Sequence, residues 1–113
     1  MQIRVRINGD FWKFKIVTAK FMAKQKESAD AFAALCVPSE RTIYVDEDCI
    51  EYDTILHELF HAYFSYLYLD DTTTLTLTDM EEILAVFFCS KAPEIIKKAK
   101  TVIKKLTELQ EDN

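Results

Sequence analysis

The feature that most constrains the fold is the single glycine of the chain, which lies in an Asn8-Gly9 pair between two alternating apolar runs. Asn-Gly is strongly favoured in two-residue β-hairpin turns, because both central residues need a positive φ. Pairing across this turn sets Val5 opposite Trp12 and makes one face of the hairpin apolar throughout. The other face collects four basic residues, Arg4, Arg6, Lys13 and Lys15. The sequence therefore predicts an N-terminal hairpin whose basic face is either solvated or binds an anion or a partner.

Composition narrows the classes of function. Half of the 113 residues are hydrophobic and 29% are charged, which is typical of a single globular domain, here spanning 1–113. One glycine and two prolines exclude Gly-rich phosphate-binding loops and dinucleotide-binding fingerprints. The net charge of −5 argues against nucleic acid as a partner, because nucleic acid favours a basic footprint.

Cysteine usage and hydropathy indicate a cytoplasmic protein. Cys36, Cys49 and Cys89 are odd in number and have no CxxC spacing, so we expect reduced thiols rather than disulfides or a cysteine-based zinc site. The first residues contain no long apolar segment of the kind that a signal peptide needs. The most apolar stretch, 83–89, is too short to cross a bilayer, so we expect no membrane partner.

The pattern along the chain predicts an α+β fold, with a small, twisted and mostly antiparallel sheet packed on about three helices. Residues 18–30 are polar and indicate a short helix or a loop. Two apolar runs, 31–37 and 42–45, are separated by a turn that contains Pro38, and they predict two further strands.

Three helical patterns follow. The first runs from 51 to about 69, by its three- and four-residue apolar spacing. The second runs over 78–90, with Thr78 and Glu81 as a candidate capping box. The third begins at Pro93, a residue favoured in the first turn of a helix. Its apolar residues form a stripe that we expect to face the core: Ile95, Ala99, Val102, Leu106 and Leu109.

The residues with the clearest chemical meaning are HELFH at 57–61, an HExxH motif on the first of these helices. His57 and His61 are the two histidines of the chain, and their i, i+4 spacing lets both imidazoles reach one metal ion. A catalytic zinc ion commonly has three protein ligands and a water, whose pKa it lowers to about 7. Glu58 can take a proton from that water. We therefore expect a Zn²⁺ site with Glu58 as the catalytic residue.

A third protein ligand has to be acidic, because no histidine remains. A metzincin-type continuation is excluded, since Phe64 and Leu67 stand where that class needs a glycine and a ligand. The candidates are the acidic residues that follow the motif: Asp70, Asp71, Asp79, Glu81 and Glu82. Glu81 and Glu82 come directly before the apolar stretch 83–89, where a carboxylate needs a nearby cation or hydrogen-bond donors. The alternative role of this pair is to stabilise the dipole at the N-terminus of the helix.

These residues together resemble a family, the minimal gluzincin-like zinc metallopeptidases, which include short phage-encoded proteins and the ImmA/IrrE-type peptidase domain. The likeness covers about residues 11–90. It lies in the strand RTIYVD at 41–46, the helix segment LHELFHA at 56–62, and EEILA at 81–85.

The resemblance implies a zincin-like fold and a specific set of zinc ligands. In such families the ligand glutamate is commonly followed by a small residue three positions on, as Glu82 is followed by Ala85. The implied ligands are therefore His57, His61 and Glu82, with Glu81 as the alternative. Val86 stands where thermolysin-type enzymes place a further aspartate.

The resemblance also implies the activity, zinc-dependent hydrolysis of a peptide or protein substrate. The oxyanion would be stabilised by a residue other than histidine, and the sequence leaves four candidates open: Tyr63, Tyr66, Tyr68 and Arg41. The alternative function is a catalytically silent, zinc-stabilised binding or regulatory protein, for example a phage-encoded one that acts on a host partner.

Overall fold

The chain folds into one four-stranded sheet with three α-helices within the residues that the structure, a computed structural model, describes: 1–25, 33–67 and 75–112. The fold is thus α+β, as the sequence predicts. In chain order the elements are β1 (Gln2–Ile7), β2 (Asp10–Val17), α1 (Ala19–Gln25), β3 (Ala34–Val37), β4 (Thr42–Asp46), α2 (Tyr52–Phe64) and α3 (Leu77–Glu111). Two short 3-10 helices, Pro38–Glu40 and Ser65–Leu67, follow β3 and α2.

The predicted hairpin is confirmed. Strands β1 and β2 pair antiparallel with Val5 opposite Trp12, which is the predicted register. Asn8 and Gly9 both have positive φ, at 50° and 85°, as a two-residue turn requires. Val5 and Trp12 are both buried, so the apolar face of the hairpin forms one wall of the core.

The sheet is mixed, with the strand order β1-β2-β4-β3. The outer pairs, β1 with β2 and β3 with β4, are antiparallel, whereas the central pair, β2 with β4, is parallel. The expectation of a mostly antiparallel sheet therefore holds for the local pairings only. A parallel pair needs a long crossover connection, and here α1 and β3 lie between the two strands in sequence.

Helices α2 and α3 pack on the apolar face of the sheet and enclose the core. The stripe predicted for the C-terminal helix is confirmed, because Ile95, Ala99, Val102 and Leu106 are buried and Leu109 packs against them. The largest fully buried side chains come from all the layers: Trp12, Tyr63, Phe14, Ile7, Met22, Ile43, Ile55, Leu59 and Leu106.

One continuous helix replaces the two that the sequence predicts for 78–90 and from Pro93 onward. Helix α3 has 35 residues and contains Pro93 in its interior. Because proline has no N–H, Pro93 cannot donate a helix hydrogen bond to the carbonyl of Cys89. Pro93 and Cys89 are both exposed, so water can bind this carbonyl instead. The capping box is formed by Thr76 and Asp79, two residues before the predicted one.

The described helices include none that is both long enough and apolar enough to cross a bilayer. Helix α1 lies within the polar segment 18–30, and Thr18 caps it by accepting a hydrogen bond from the Phe21 N–H at 3.1 Å. The first part of the strand predicted for 31–37 and the end of the helix predicted for 51–69 fall outside the described residues.

Candidate functional site

The HELFH segment is placed by the turn between β4 and α2. Asp46 ends β4, and its Oδ1 accepts a hydrogen bond from the Asp48 N–H at 2.9 Å. This side-chain-to-backbone bond turns the chain within two residues. Glu51 then caps α2 without a side-chain hydrogen bond. The aspartate of RTIYVD therefore has a local structural role, because it directs the chain into the helix that carries both histidines.

Helix α2 presents the two histidines on the side opposite to its buried face. Ile55, Leu59 and Ala62 are fully buried against the sheet and α3. His57 and His61 are exposed. The helical period separates these two sets of residues, since the histidines are one turn apart and the buried residues lie on the other side.

The two imidazole rings converge. The Nε2 atoms of His57 and His61 are 3.1 Å apart, and the ring centroids are 4.8 Å apart. A tetrahedral zinc ion with Zn–N distances of 2.0–2.1 Å holds two nitrogen ligands about 3.3–3.4 Å apart. The observed separation of 3.1 Å is a hydrogen-bonding distance and is close to this value.

Glu58 lies between the histidines in sequence but points toward β3. It is 8% exposed, and its carboxylate accepts a hydrogen bond from the backbone N–H of Cys36. Burial raises the pKa of Glu58 above its ordinary value, while His61 and His57 act in the opposite direction. The net direction is toward a more basic carboxylate, which is what a general base needs near neutral pH.

These three side chains share one cavity of about 420 Å³. Its other lining residues come from β3 and the following turn: Ala34, Leu35, Cys36 and Pro38. The sequence does not predict that Cys36 lines this cavity. No residue spacing indicates it, because β3 and α2 meet only in the folded chain. Burial, and secondarily Glu58, raise the pKa of the Cys36 thiol to about 12, so it stays protonated at neutral pH.

The carboxylates proposed as a third ligand are elsewhere or outside the described residues. Glu82 is exposed and lines a different cavity of about 470 Å³, together with Tyr63 and Tyr66. Glu81 is also exposed, and Asp79 caps α3. Asp70 and Asp71 lie outside the described residues.

The expectation that the stretch 83–89 is buried, which supported the pair Glu81 and Glu82 as ligands, is wrong. The stretch 83–89 is not buried on all sides, because Leu84, Val86 and Phe88 are exposed and only Phe87 is buried. A carboxylate at the start of this helix therefore has water available and needs no cation beside it. The structure does not bring Glu82 or Glu81 to the histidines.

The gluzincin assignment is corrected by this geometry. Within residues 1–25, 33–67 and 75–112, no three His, Cys, Asp or Glu side chains are grouped so that they could hold a metal ion. The family pattern needs two histidines and a downstream glutamate around one ion, and of these ligands the described residues bring together the two histidines. Comparison of the chain with family models, with curated proteins and with solved structures gives no match.

The four residues considered for oxyanion stabilisation lie in different places. Tyr63 is buried beside Glu94, and burial raises its pKa. Tyr66 donates a hydrogen bond to Asp10 Oδ2 at 2.8 Å, and Arg41 lies 3.5 Å from the same oxygen. Tyr68 lies outside the described residues.

Tyr66 and Arg41 border a cavity of about 330 Å³ next to the histidine cavity, because Pro38 lines both. Arg41 has a positive φ of 48°, which is uncommon for a residue other than glycine.

An apolar groove runs along the other side of the histidines. Phe60 lies on α2 between them in sequence, and its ring contacts that of His61, with centroids 6.3 Å apart. The groove, of about 150 Å³, is lined by apolar side chains of α2 and α3: Leu56, Phe60, Phe87, Phe88, Ala92, Ile95 and Ile96. The candidate site thus has the cavity that contains Glu58 on one side and an apolar groove on the other.

Proposed function

We propose that His57 and His61 bind one zinc ion and that the protein is a zinc-dependent hydrolase of peptide bonds. The observation that carries the proposal is the 3.1 Å separation of the two Nε2 atoms, above a cavity whose wall holds Glu58. The proposal is one of chemistry and is independent of the family assignment corrected above.

The two imidazoles and Glu58 have different roles in this proposal. His57 and His61 would hold the ion through Nε2, which requires both rings to be neutral. When bound, zinc supplies a water of lowered pKa and polarises a carbonyl oxygen. Glu58 accepts a proton at its carboxylate and returns it to the leaving amine. Its bond from the Cys36 N–H fixes the orientation of the carboxylate while leaving lone pairs for the proton.

A peptide is the substrate class that the surroundings favour. Phe60 and Leu56 give the groove beside the histidines an apolar wall, which suits a hydrophobic side chain next to the scissile bond. The cavity on the other side, about 420 Å³ and lined in part by Glu58, has room for the peptide backbone around the reacting carbonyl. Substrate ligands and waters would complete the coordination of an ion that has two protein nitrogens.

A catalytically silent binding or regulatory protein is the second candidate. It is favoured by one observation, namely that the described residues supply two imidazoles rather than a group of three ligands. In that case zinc would stabilise α2 and turn over no peptide.

Zinc titration of chelator-treated protein tests the metal site first. Each of the variants His57→Ala and His61→Ala should lower the affinity by at least about 100-fold, because loss of a ligand costs more than loss of an outer-shell partner. Asp53→Asn, which changes an exposed carboxylate in the first turn of the same helix, is the matched control and should change the affinity by less than about twofold. Unchanged affinity in both histidine variants would refute the site.

Hydrolysis is then measured on a peptide library by mass spectrometry, with zinc-loaded wild type beside Glu58→Gln. The variant should bind zinc normally and cleave nothing, because glutamine keeps the shape of the side chain without the basic oxygen. Cleavage retained in Glu58→Gln would refute the mechanism. Zinc binding without any cleavage by wild type would favour the binding protein.

A further inference from the structure

The charge of this protein is unevenly distributed along the chain. Residues 1–25 contain six basic residues and one acidic residue, whereas the remaining 88 contain eight basic and eighteen acidic residues. The net charge of −5 therefore combines a strongly cationic N-terminal part with a strongly anionic remainder. The hairpin and α1 carry all of the N-terminal cations.

The cations of the hairpin share its solvent face. Along β1, Arg4 and Arg6 are exposed and alternate with buried Val5 and Ile7. We call this surface the basic face, and it consists of Arg4, Arg6, Phe11, Lys13 and Lys15. Arg4 is paired directly with Lys13 across the two strands. Like charges in directly opposite positions destabilise a sheet. The arrangement is thus unfavourable for folding alone, as expected of a surface that meets a negative partner.

The two guanidinium groups of the basic face are held in place by one aromatic ring. The Cζ atoms of Arg4 and Arg6 are each 4.4 Å from the ring centroid of Phe11, which itself is 48% exposed. Such contacts restrict the long arginine side chains and leave their N–H groups available. Because alternate residues of a strand are about 6.6–6.8 Å apart, the two arginines present donors at the spacing of alternate residues in another extended chain.

Within the described part of the chain, no acidic side chain forms an ion pair with these cations. The ion pair found there joins Arg41 to Asp10, at the far end of β2 from Lys15. On the same face, Lys15 Nζ is 5.9 Å from the ring centroid of Tyr44, whose hydroxyl donates a hydrogen bond to Glu40. The cationic surface continues onto α1, whose Phe21 ring contacts that of Tyr44 and whose Lys20 and Lys24 are exposed.

We propose that the basic face binds an acidic, extended segment of a protein partner. The basic face is on the opposite side of the sheet from α2, so the interaction leaves the histidine cavity free, and the proposal does not depend on the proposed function. A protein segment is favoured over nucleic acid for two reasons. The ring of Phe11 is already engaged by guanidinium groups rather than open for base stacking. The anionic remainder of the chain would also repel a long polyanion.

Binding of three probes at low salt tests this proposal by calorimetry. The probes are a peptide of alternating Glu and Thr, the matching peptide of alternating Gln and Thr, and an oligo-thymidylate of similar length. The acidic peptide should bind at least about tenfold more tightly than the neutral one, and the difference should shrink as salt is raised toward 0.2 M.

Three variants separate a built surface from simple net charge. The double variant Arg4→Gln/Arg6→Gln should weaken binding of the acidic peptide by about tenfold, from two lost charge contacts. Lys104→Gln/Lys105→Gln removes the same charge from exposed positions of α3 and should change it less than twofold. Phe11→Ala keeps every charge but removes the support of both arginines, and should weaken binding by about threefold.

Circular dichroism confirms that each variant is folded before it is titrated. Equal weakening by the hairpin and the α3 double variants would overturn the proposal, because binding would then follow net charge alone. Tighter binding of the oligonucleotide than of the acidic peptide would also overturn it, in favour of a nucleic-acid surface. Charge-dependent self-association in sedimentation, abolished by the hairpin variant, would replace the foreign partner by a second copy of the chain.

Discussion

Phe88 and Ile95 lie seven residues apart on the same side of α3, yet Ile95 is 3% exposed and Phe88 is 67% exposed. Seven residues are close to two helical turns, so one stripe of the helix carries both side chains. Toward its C-terminus the stripe is covered by the sheet and α2. Toward its N-terminus it borders the open apolar groove beside the histidines.

The two positions should therefore respond differently to truncation. Ile95→Ala should lower the free energy of unfolding by about 2–5 kcal/mol, as expected for a buried aliphatic side chain. Phe88→Ala should change it by less than about 0.5 kcal/mol, because the side chain is already in water. Urea denaturation of both variants measures this. A large loss in Phe88→Ala would mean that another molecule covers the stripe in solution, and a dependence of stability on protein concentration would confirm it.

The sequence predicts those elements that depend on neighbouring residues. The hairpin follows from Asn8-Gly9 and alternation, and the core stripe from Ile95 onward follows from helical spacing; both are confirmed. The continuity of α3 could not be predicted in the same way. The local preference of Pro93 is for the first turn of a helix, and its interior position in α3, at an exposed site that lacks one backbone hydrogen bond, goes against that preference.

In the candidate site, too, the sequence predicts what depends on neighbouring residues and does not predict contacts between distant parts of the chain. The convergence of His57 and His61 is a property of one helix and follows from their spacing. The position of Glu82 depends on how α3 crosses α2, and an apolar sequence alone does not say which of its faces is covered. The parallel pairing of β2 with β4 and the approach of Cys36 to Glu58 are likewise contacts between distant parts of the chain.

The hydrogen bonds that Tyr66 forms with Trp12 and Asp10 can be tested by mutation. The Trp12 Nε1–H donates to the Tyr66 hydroxyl at 2.8 Å, and this hydroxyl donates to Asp10. Tyr66→Phe leaves the buried indole N–H without its acceptor, so it should lower the free energy of unfolding by about 1–3 kcal/mol.

Trp12 is the one tryptophan of the chain, so its fluorescence reports the Tyr66→Phe change directly. The variant Tyr52→Phe removes a hydroxyl from a half-buried tyrosine on α2 and is the matched control, with an expected change below about 0.5 kcal/mol. Unaltered stability and emission in Tyr66→Phe would show that the hydrogen bond from Trp12 is not maintained in solution.

The thiols should differ in reactivity. The pKa of Cys36 is raised to about 12, mainly by burial, so little thiolate forms at neutral pH, whereas Cys89 is exposed. Alkylation by iodoacetamide at pH 8, followed by peptide mapping, should label Cys36 at least about 100-fold more slowly than Cys89, since the thiolate is the reactive form.

The pH dependence of alkylation gives the sign of the Cys36 shift. Because the raised pKa disfavours the thiolate, the Cys36 rate should keep increasing with pH through 10, beyond the ordinary thiol value of 9.0. In urea the two cysteines should react alike. Rapid labelling of Cys36 in the folded protein would mean that β3 separates from α2 and opens the histidine cavity.

The acidic candidates for a third ligand of the proposed zinc site can be tested one by one. Glu82 lines a different cavity from His57 and His61, so Glu82→Gln should change zinc affinity by less than about twofold, and Glu81→Gln likewise. Competition with a chromophoric chelator measures the affinities, with His57→Ala as the reference for a lost ligand. Asp70→Asn and Asp71→Asn extend the series to the two acidic candidates outside the described residues, while Asp79 is left unchanged because it caps α3.

The outcomes of this series distinguish two ways of completing the coordination. If none of the four carboxylate variants lowers the affinity, waters and substrate complete the sphere around the two imidazoles, as proposed here. If Glu82→Gln alone weakens binding as much as His57→Ala does, α3 must move against α2 when zinc binds. A change in the Phe60–Phe87 contact, whose ring centroids are 5.1 Å apart, would then accompany zinc binding and be visible as shifted aromatic resonances.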